Sequence, residues 1–154
     1  MAILATVAYG LFIIYIPISV IYEDELFFKH DATELVEELD FKLNDNFEII
    51  ENTSNWGLEE SYHKFILEIS DKDKARLINE IKSSKNYMNQ KTYSSSKIVY
   101  PDRYKGKKTF WNYEDESWYT RHYFQTNGNG YAPADRSISI SKTSNELRFE
   151  GIDD

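Results

Sequence analysis

The chain contains no cysteine, only three histidines, three prolines and six glycines among its 154 residues. Without cysteine there is no disulfide, no thiol nucleophile, no zinc–thiolate centre and no lipidated cysteine to hold the chain to a membrane. His30, His63 and His122 are all the imidazoles available, and none has a second histidine at helical or strand spacing. No Gly-x-Ser-x-Gly, glycine-rich phosphate loop, dinucleotide fingerprint or zinc-helix motif occurs. Positive charge is also in short supply. Eighteen Lys and Arg face 26 Asp and Glu, a formal net charge of −8 that repels phosphate backbones, so nucleic acid is not an expected partner. No cofactor or metal site is expected either.

What the chain does have is a run, residues 2–22 (AILATVAYGLFIIYIPISVIY), without one charged side chain. About 20 apolar residues suffice to span a bilayer's hydrocarbon core, and more than that is long for a buried helix of a globular domain. A cleaved signal peptide wants a basic start, a short apolar core and small residues at a cleavage site, none of which is clear here. The run is therefore expected to be a single uncleaved transmembrane anchor. Tyr22 suits the interfacial belt, whereas Tyr9 and Tyr15 at mid-depth need partners, and Pro17 lies well inside the span. These residues make contact with other membrane helices an expectation. The flank Glu23-Asp24-Glu25 holds no Lys or Arg before Lys29, which favours placing the following domain outside the cytoplasm.

After the anchor (1–22) and a juxtamembrane linker (23–30), residues 31–154 are the length of one compact domain, with 12 Tyr, 9 Phe and 3 Trp to build a core. Asp31 and Glu34 form an Asp-x-x-Glu capping box opening a helix with Leu35, Val36, Leu39 and Leu43 on its apolar stripe. Residues 46–52 (NFEIIEN) suggest a strand, 52–60 a polar loop, and 61–69 (SYHKFILEI) alternates as a strand with His63, Phe65, Leu67 and Ile69 on one face. Ser70 and Asp73 open a second helix, to about Ser84, with Ala75, Leu77, Ile78 and Ile81 inward. That acidic first turn, rather than a metal cluster, accounts for Asp71 and Asp73.

The run Phe47 to Ile81, a Phe-Glu-Ile-Ile strand, a polar loop, a Tyr-x-x-Phe-x-Leu-x-Ile-Ser strand and an Asp-Lys-x-x-x-Leu-Ile-x-x-Ile helix, resembles a module in small bacterial proteins that carry a membrane anchor or a lipoprotein signal. The resemblance implies an anchored, extracytoplasmic bacterial protein and assigns no catalytic residues. This chain departs from the lipoprotein form by lacking cysteine.

Residues 83–96 read as a polar connection, and the last third as β: 97–100 before Pro101, then 109–113, 118–126, 136–141 and 146–151. Ile138 and Ile140 should face Leu147 and Phe149 across a hairpin around Thr143-Ser144-Asn145. Asn127-Gly128-Asn129-Gly130 marks a turn before Tyr131. The fold class is α+β: an N-terminal transmembrane helix followed by one small domain with an antiparallel sheet and two helices.

Along 118–125 one parity holds Trp118, His122 and Phe124, and the other Tyr119, Arg121, Tyr123 and Gln125. The second parity, with Trp111, Tyr113 and Tyr131, is the expected recognition surface, since Tyr, Trp and Arg are enriched where proteins meet. His63 and His122 are expected as packed, hydrogen-bonded core side chains, and His30 as solvated. The basic stretch 103–108 beside these aromatics suits a loop at lipid headgroups or a protein interface better than a nucleic-acid patch. Glu114, Asp115 and Glu116 could bind a cation or supply a carboxylate pair for glycoside chemistry, but consecutive turn residues rarely converge on one atom. Two functions follow as expectations. One is an anchored interaction protein, an accessory subunit of a membrane or envelope complex or an immunity-type protein that captures a toxin, its acidic surface suited to a basic partner. The other is a glycan-binding or hydrolytic envelope protein using the aromatic and acidic C-terminal region.

Overall fold

A computed structural model of the chain describes residues 27–56, 61–102, 105–126 and 133–153. Tyr9, Tyr15, Pro17 and Tyr22, with the rest of the apolar run, lie outside the described residues. Among those described, no helix is long and apolar enough to cross a membrane.

The described part is a mixed α+β domain with two helices and a seven-stranded sheet. In chain order the elements are α1 (Lys29–Glu38), β1 (Glu48–Trp56), β2 (Ser61–Glu68), α2 (Asp71–Lys82), β3 (Tyr87–Met88), β4 (Thr109–Glu114), β5 (Trp118–Gln125), β6 (Ala134–Ser141) and β7 (Glu146–Asp153). The strand order is β1-β2-β7-β6-β5-β4-β3. Every neighbouring pair is antiparallel except β3–β4, which is parallel. The wholly antiparallel expectation fails there because β3 arrives from α2, over the face of the sheet, rather than through a hairpin.

Side chains alternate across each strand, so one set of residues meets the helices. Phe65 and Leu67 of β2, Leu147 and Phe149 of β7, Ile138 and Ile140 of β6 and Tyr123 of β5 pack with Ala32, Val36 and Leu39 from α1 and Leu77 and Ile81 from α2. The helical residues recur at three- and four-residue spacing, one stripe on each helix. Ile138 pairs with Phe149 and Ile140 with Leu147, as the hairpin pattern predicts. Among the described residues neither α1 nor α2 packs on the opposite face of the sheet.

Local chemistry sets the element ends. The Asp31 carboxylate accepts the Phe28 N–H at 2.7 Å, so the capping acid lies inside α1, which starts two residues before the Asp31 expected from sequence. At the other end Asp40 N–H bonds Glu37 O at 2.9 Å and Phe41 N–H bonds Val36 O at 3.3 Å, with Asp40 at φ 57°. That is the left-handed helix ending usually given to glycine, and Phe41 and Val36 supply its apolar contact. β1 extends to Trp56 through Asn52-Thr53-Ser54-Asn55, a stretch whose polarity suggests a loop. At a sheet edge the polar residues are tolerated because only one side is covered.

Ser70 caps α2 by accepting the Asp73 N–H at 3.0 Å, and its hydroxyl donates to Asp45 at 2.6 Å. The Asp73 carboxylate, 2% exposed, accepts the N–H groups of Asn44 and Asp45, both at 2.9 Å, and Arg76 at 2.6 Å. One buried charge thus ties α2 to the connection between α1 and β1. Burial alone would raise this carboxyl's pKa. The Arg76 guanidinium and the two backbone donors outweigh burial and hold it below the usual carboxylate value.

Two outcomes follow. Because Asp73 is depressed, its contribution is present above the ordinary carboxylate pKa of about 3.9 and is lost as pH falls through its lower folded value. Asp73→Ala should cost about 3 kcal/mol in urea unfolding at pH 7, and the deficit should shrink below pH about 3. Asp40→Gly should instead raise stability by about 0.5–1 kcal/mol, because it relieves a non-glycine residue at positive φ and surrenders only an exposed pair with Lys108 at 3.3 Å.

Candidate functional site

The two faces of the sheet divide the residues expected to form one recognition surface. Tyr119, Arg121 and Tyr123 lie on the helix-covered side, opposite Ile140, Ile138 and Arg136 of β6. Tyr123 is buried, with its hydroxyl donating to Gln125. Arg121 stacks over the Phe41 ring at 4.0 Å and donates to Leu39 O at 3.2 Å and Asp40 O at 3.3 Å, capping the end of α1. Burial lowers its pKa, with Glu80 and Asp40 acting the other way. Tyr119 is bracketed by Lys82 and Lys142, each 4.8 Å from its ring. These three side chains lie on the side of the sheet that the helices cover, apart from Trp111 and Tyr113. Tyr131 lies outside the described residues.

Trp111 and Tyr113 are on the other face, and the segment 89–102 crosses over them. Its Tyr93 ring stacks on Tyr113 at 4.1 Å with an interplanar angle of 5°. Its Tyr100 ring sits 5.2 Å from Trp111, 5.7 Å from His122 and 5.3 Å from Phe124. The return of this strap is fastened at Gly106, whose N–H and C=O both bond the Thr126 hydroxyl, at 3.1 and 2.9 Å. A Cβ on Gly106 would come within 2.9 Å of Pro101 Cβ, so the close approach needs glycine. Val99 stays 76% exposed and Tyr100 48% exposed, the two most open apolar side chains on the strap.

His122 is buried and bonded to Asp135, and Ser137 stands directly opposite it on β6. The row therefore holds Ser, His and Asp, but no hydrogen bond among the described residues joins Ser137 to His122, the contact that acyl transfer requires. His63 is half-buried among Phe27, Phe65 and Phe149, with Nε2 2.8 Å from Asn52 Oδ1. His30 is exposed, 3.2 Å from Glu34. His63 also borders a cleft of ≈ 230 Å³ with Leu35, Arg136 and Gly151, where Arg136 is ion-paired to Glu38.

The acidic trio is separated by its bonds. Glu114 is salt-bridged to Lys142 at 3.0 Å and accepts the Gln90 N–H at 3.3 Å. Burial raises its pKa, but Lys142, that N–H and the Tyr87 hydroxyl together bring it below the ordinary value. Asp115 accepts the N–H groups of Ser117 and Trp118 at 2.8 and 2.9 Å and so shapes its own turn, while Glu116 is exposed. Among the described residues no group of His, Asp or Glu is placed to hold a metal ion. In the basic stretch, Lys108 is spent on the end of α1, 3.2 Å from Glu38 O. Arg103 and Tyr104 lie outside the described residues.

The strap with its aromatic floor is therefore the candidate site. Its exposed members, Val99 and Tyr100, were not singled out from sequence. The available signal is an aliphatic–aromatic pair next to Pro101, in a segment, 97–100, that reads as β in sequence and forms no strand in the structure.

Burial, and then the neighbouring Tyr93, pushes the Tyr113 phenol far above its ordinary value; burial and the Asp135 charge raise Tyr100. Raised values mean that stability from these groups is complete below the unfolded tyrosine pKa of about 10 and is lost as pH rises above it. Urea midpoints should therefore fall between pH 9.5 and 11.5, and Tyr113→Phe should flatten that fall; an identical slope in the variant would remove Tyr113 as its cause. Compared with known proteins, the chain matches no family model, no curated protein and no solved structure.

Proposed function

We propose that this protein is a membrane-anchored interaction protein, an accessory subunit that binds another protein of a membrane complex through the open face of its sheet. Residues 2–22 hold it in the bilayer as a single span, and the acidic, Lys- and Arg-poor flank that follows places the domain outside the cytoplasm. The observation that carries the reading is the strap. A polar connection brings Val99 and Tyr100 across the helix-free face and leaves them exposed above a packed floor of Trp111, His122 and Phe124. A rigid aromatic anchor on a pre-packed base is the form that energetically dominant contact residues take, because little side-chain freedom remains to be lost on binding.

The hydrolytic alternative has less to stand on. Glu114 and Asp115 are engaged in separate structural bonds, and His122 lies beneath Tyr100 with its one described bond to Asp135. The anchor supports a resident partner in the same membrane over capture of a freely diffusing toxin.

Purification of the full chain in mild detergent after crosslinking should bring down one stoichiometric membrane partner. Val99→Asp combined with Tyr100→Ala should reduce its recovery at least tenfold; Val99→Asp alone, at a side chain 76% exposed, should reduce it and leave thermal unfolding within a few degrees of the parent, whereas Tyr100→Ala also removes packing on Trp111, His122 and Phe124 and lowers the midpoint. A monodisperse, partner-free chain, or undiminished recovery by the double variant, would sink the proposal.

A further inference from the structure

A second surface lies at the β1 edge, away from the strap. Between Ile49 and Glu51 the β1–β2 register shifts: Ile49 pairs with Leu67 and Glu51 with Ile66, so Ile50 is the extra residue of a bulge. An edge bulge blunts a strand against pairing and re-aims a side chain. Here it turns Ile50 outward, 58% exposed. With Ile66 and the turn residues Ser144 and Asn145, Ile50 lines a groove of ≈ 360 Å³ on the helix-free side.

Glu68 and Glu146 line this groove, and Glu48 extends their cross-strand row beyond it, Glu48 opposite Glu68 and Glu68 opposite Glu146. Neighbours so placed have Cβ atoms about 5 Å apart, and like charges there oppose folding. Glu146 is partly compensated by Arg148 at 3.6 Å. Among the described residues, Glu48 and Glu68 have no hydrogen-bond or ion-pair partner. An apolar trough beside uncompensated negative charge is complementary to a cation next to an aliphatic side chain.

We infer that the groove lined by Ile50, Ile66, Glu68 and Glu146, with Glu48 next to it in the row, docks a basic amphipathic segment of a partner protein, an aliphatic side chain seated on the two isoleucines and flanking Lys or Arg meeting the glutamate row. This rests on the reading of the protein as an interaction protein and adds the chemistry of what it holds. The bulge excludes simple strand addition at this point, so the segment is gripped by side chains rather than by main-chain pairing.

The test is an amide-shift NMR titration of the full chain in neutral detergent with an amidated Ala-Lys-Leu-Lys-Ala peptide. Saturable shifts are expected at residues 48–50, 66–68 and 144–146, weakening as salt is raised. Affinity should fall at least tenfold in Glu48→Lys/Glu68→Lys and about fivefold in Ile50→Ser. It should also fall several-fold when Ala replaces the peptide's Leu. Glu68→Lys should at the same time raise the thermal midpoint, because it removes a like-charge row; loss of binding with a raised midpoint cannot come from misfolding. The inference is overturned by no saturable shift at millimolar peptide or by shifts centred elsewhere. Equal binding of Ala-Lys-Ala-Lys-Ala, which would mean charge alone, also overturns it, as do the same amides shifting on dilution of the free protein, which would make a second copy the occupant. Because the titration uses no native partner, its failure leaves the strap result standing, and the strap can fail without it.

Discussion

The pairing of β2 with β7 is the constraint on which the rest depends. Without it the sheet falls into two pieces, the β1–β2 hairpin and the β7-β6-β5-β4-β3 block. Eight residues of each strand align, from Ser61 opposite Asp153 to Glu68 opposite Glu146, and the Phe65 and Phe149 rings stack across the junction at 4.6 Å and 4°. Both rings are buried, so the joint gains apolar burial as well as about 0.5–1.5 kcal/mol from ring geometry. The loop it closes is long, but closure entropy grows only logarithmically with length, so one well-packed seam can offset it. Asn145 locks the same seam from its end: its carbonyl accepts the Ile69 N–H at 2.9 Å and its side chain donates to Asp71 of α2 at 2.8 Å.

From that seam follows the one-sided architecture. Both helices need the same sheet face, and polar contacts with the strands fasten them there: Arg121 to the carbonyls ending α1, Arg136 to Glu38 of α1, and Lys82 of α2 over the Tyr119 ring. Basic residues from the sheet thus meet the negative end of the α1 dipole. The other face must cover itself with what the 89–102 strap supplies, and two tyrosines do not cover seven strands.

How much of this could be read from the residues alone depends on how many neighbours each element answers to. β2, β6 and β7 alternate cleanly because each has strands on both sides and one apolar face, and Ser70 announces α2 through a local bond that needs no tertiary context. β5 carries aromatics on both parities, so periodicity cannot choose which is inward; the choice lies with Phe41 and the end of α1, some 80 residues away. Arg121 looks like a surface residue in sequence because its role, donating to backbone carbonyls, leaves no mark on the residues it serves. β3 is two residues long, below any periodicity, and exists through its register with Asn112 and Tyr113. The glutamate row and the Ile50 bulge are likewise products of register, invisible until strands are paired.

The entry of the chain into the domain bears on which surface a partner meets. Phe27 packs on His63 at 4.9 Å and on Phe65 at 5.1 Å, on the helix-covered side of the sheet. In a chain anchored by residues 2–22, only residues 23–26 separate the end of the span from Phe27, a reach of about 14 Å when fully extended. On the proposed anchoring, so short a tether would hold the helix layer near the bilayer and leave the open face turned from it or alongside it. Lipid headgroups would then lie nearest the helices and Phe28, exposed at the start of α1, and not nearest the strap. Under that proposal a surface turned from the bilayer would gain nothing from lipid, and the exposure of Val99 and Tyr100 would be answered by a protein rising from the same membrane.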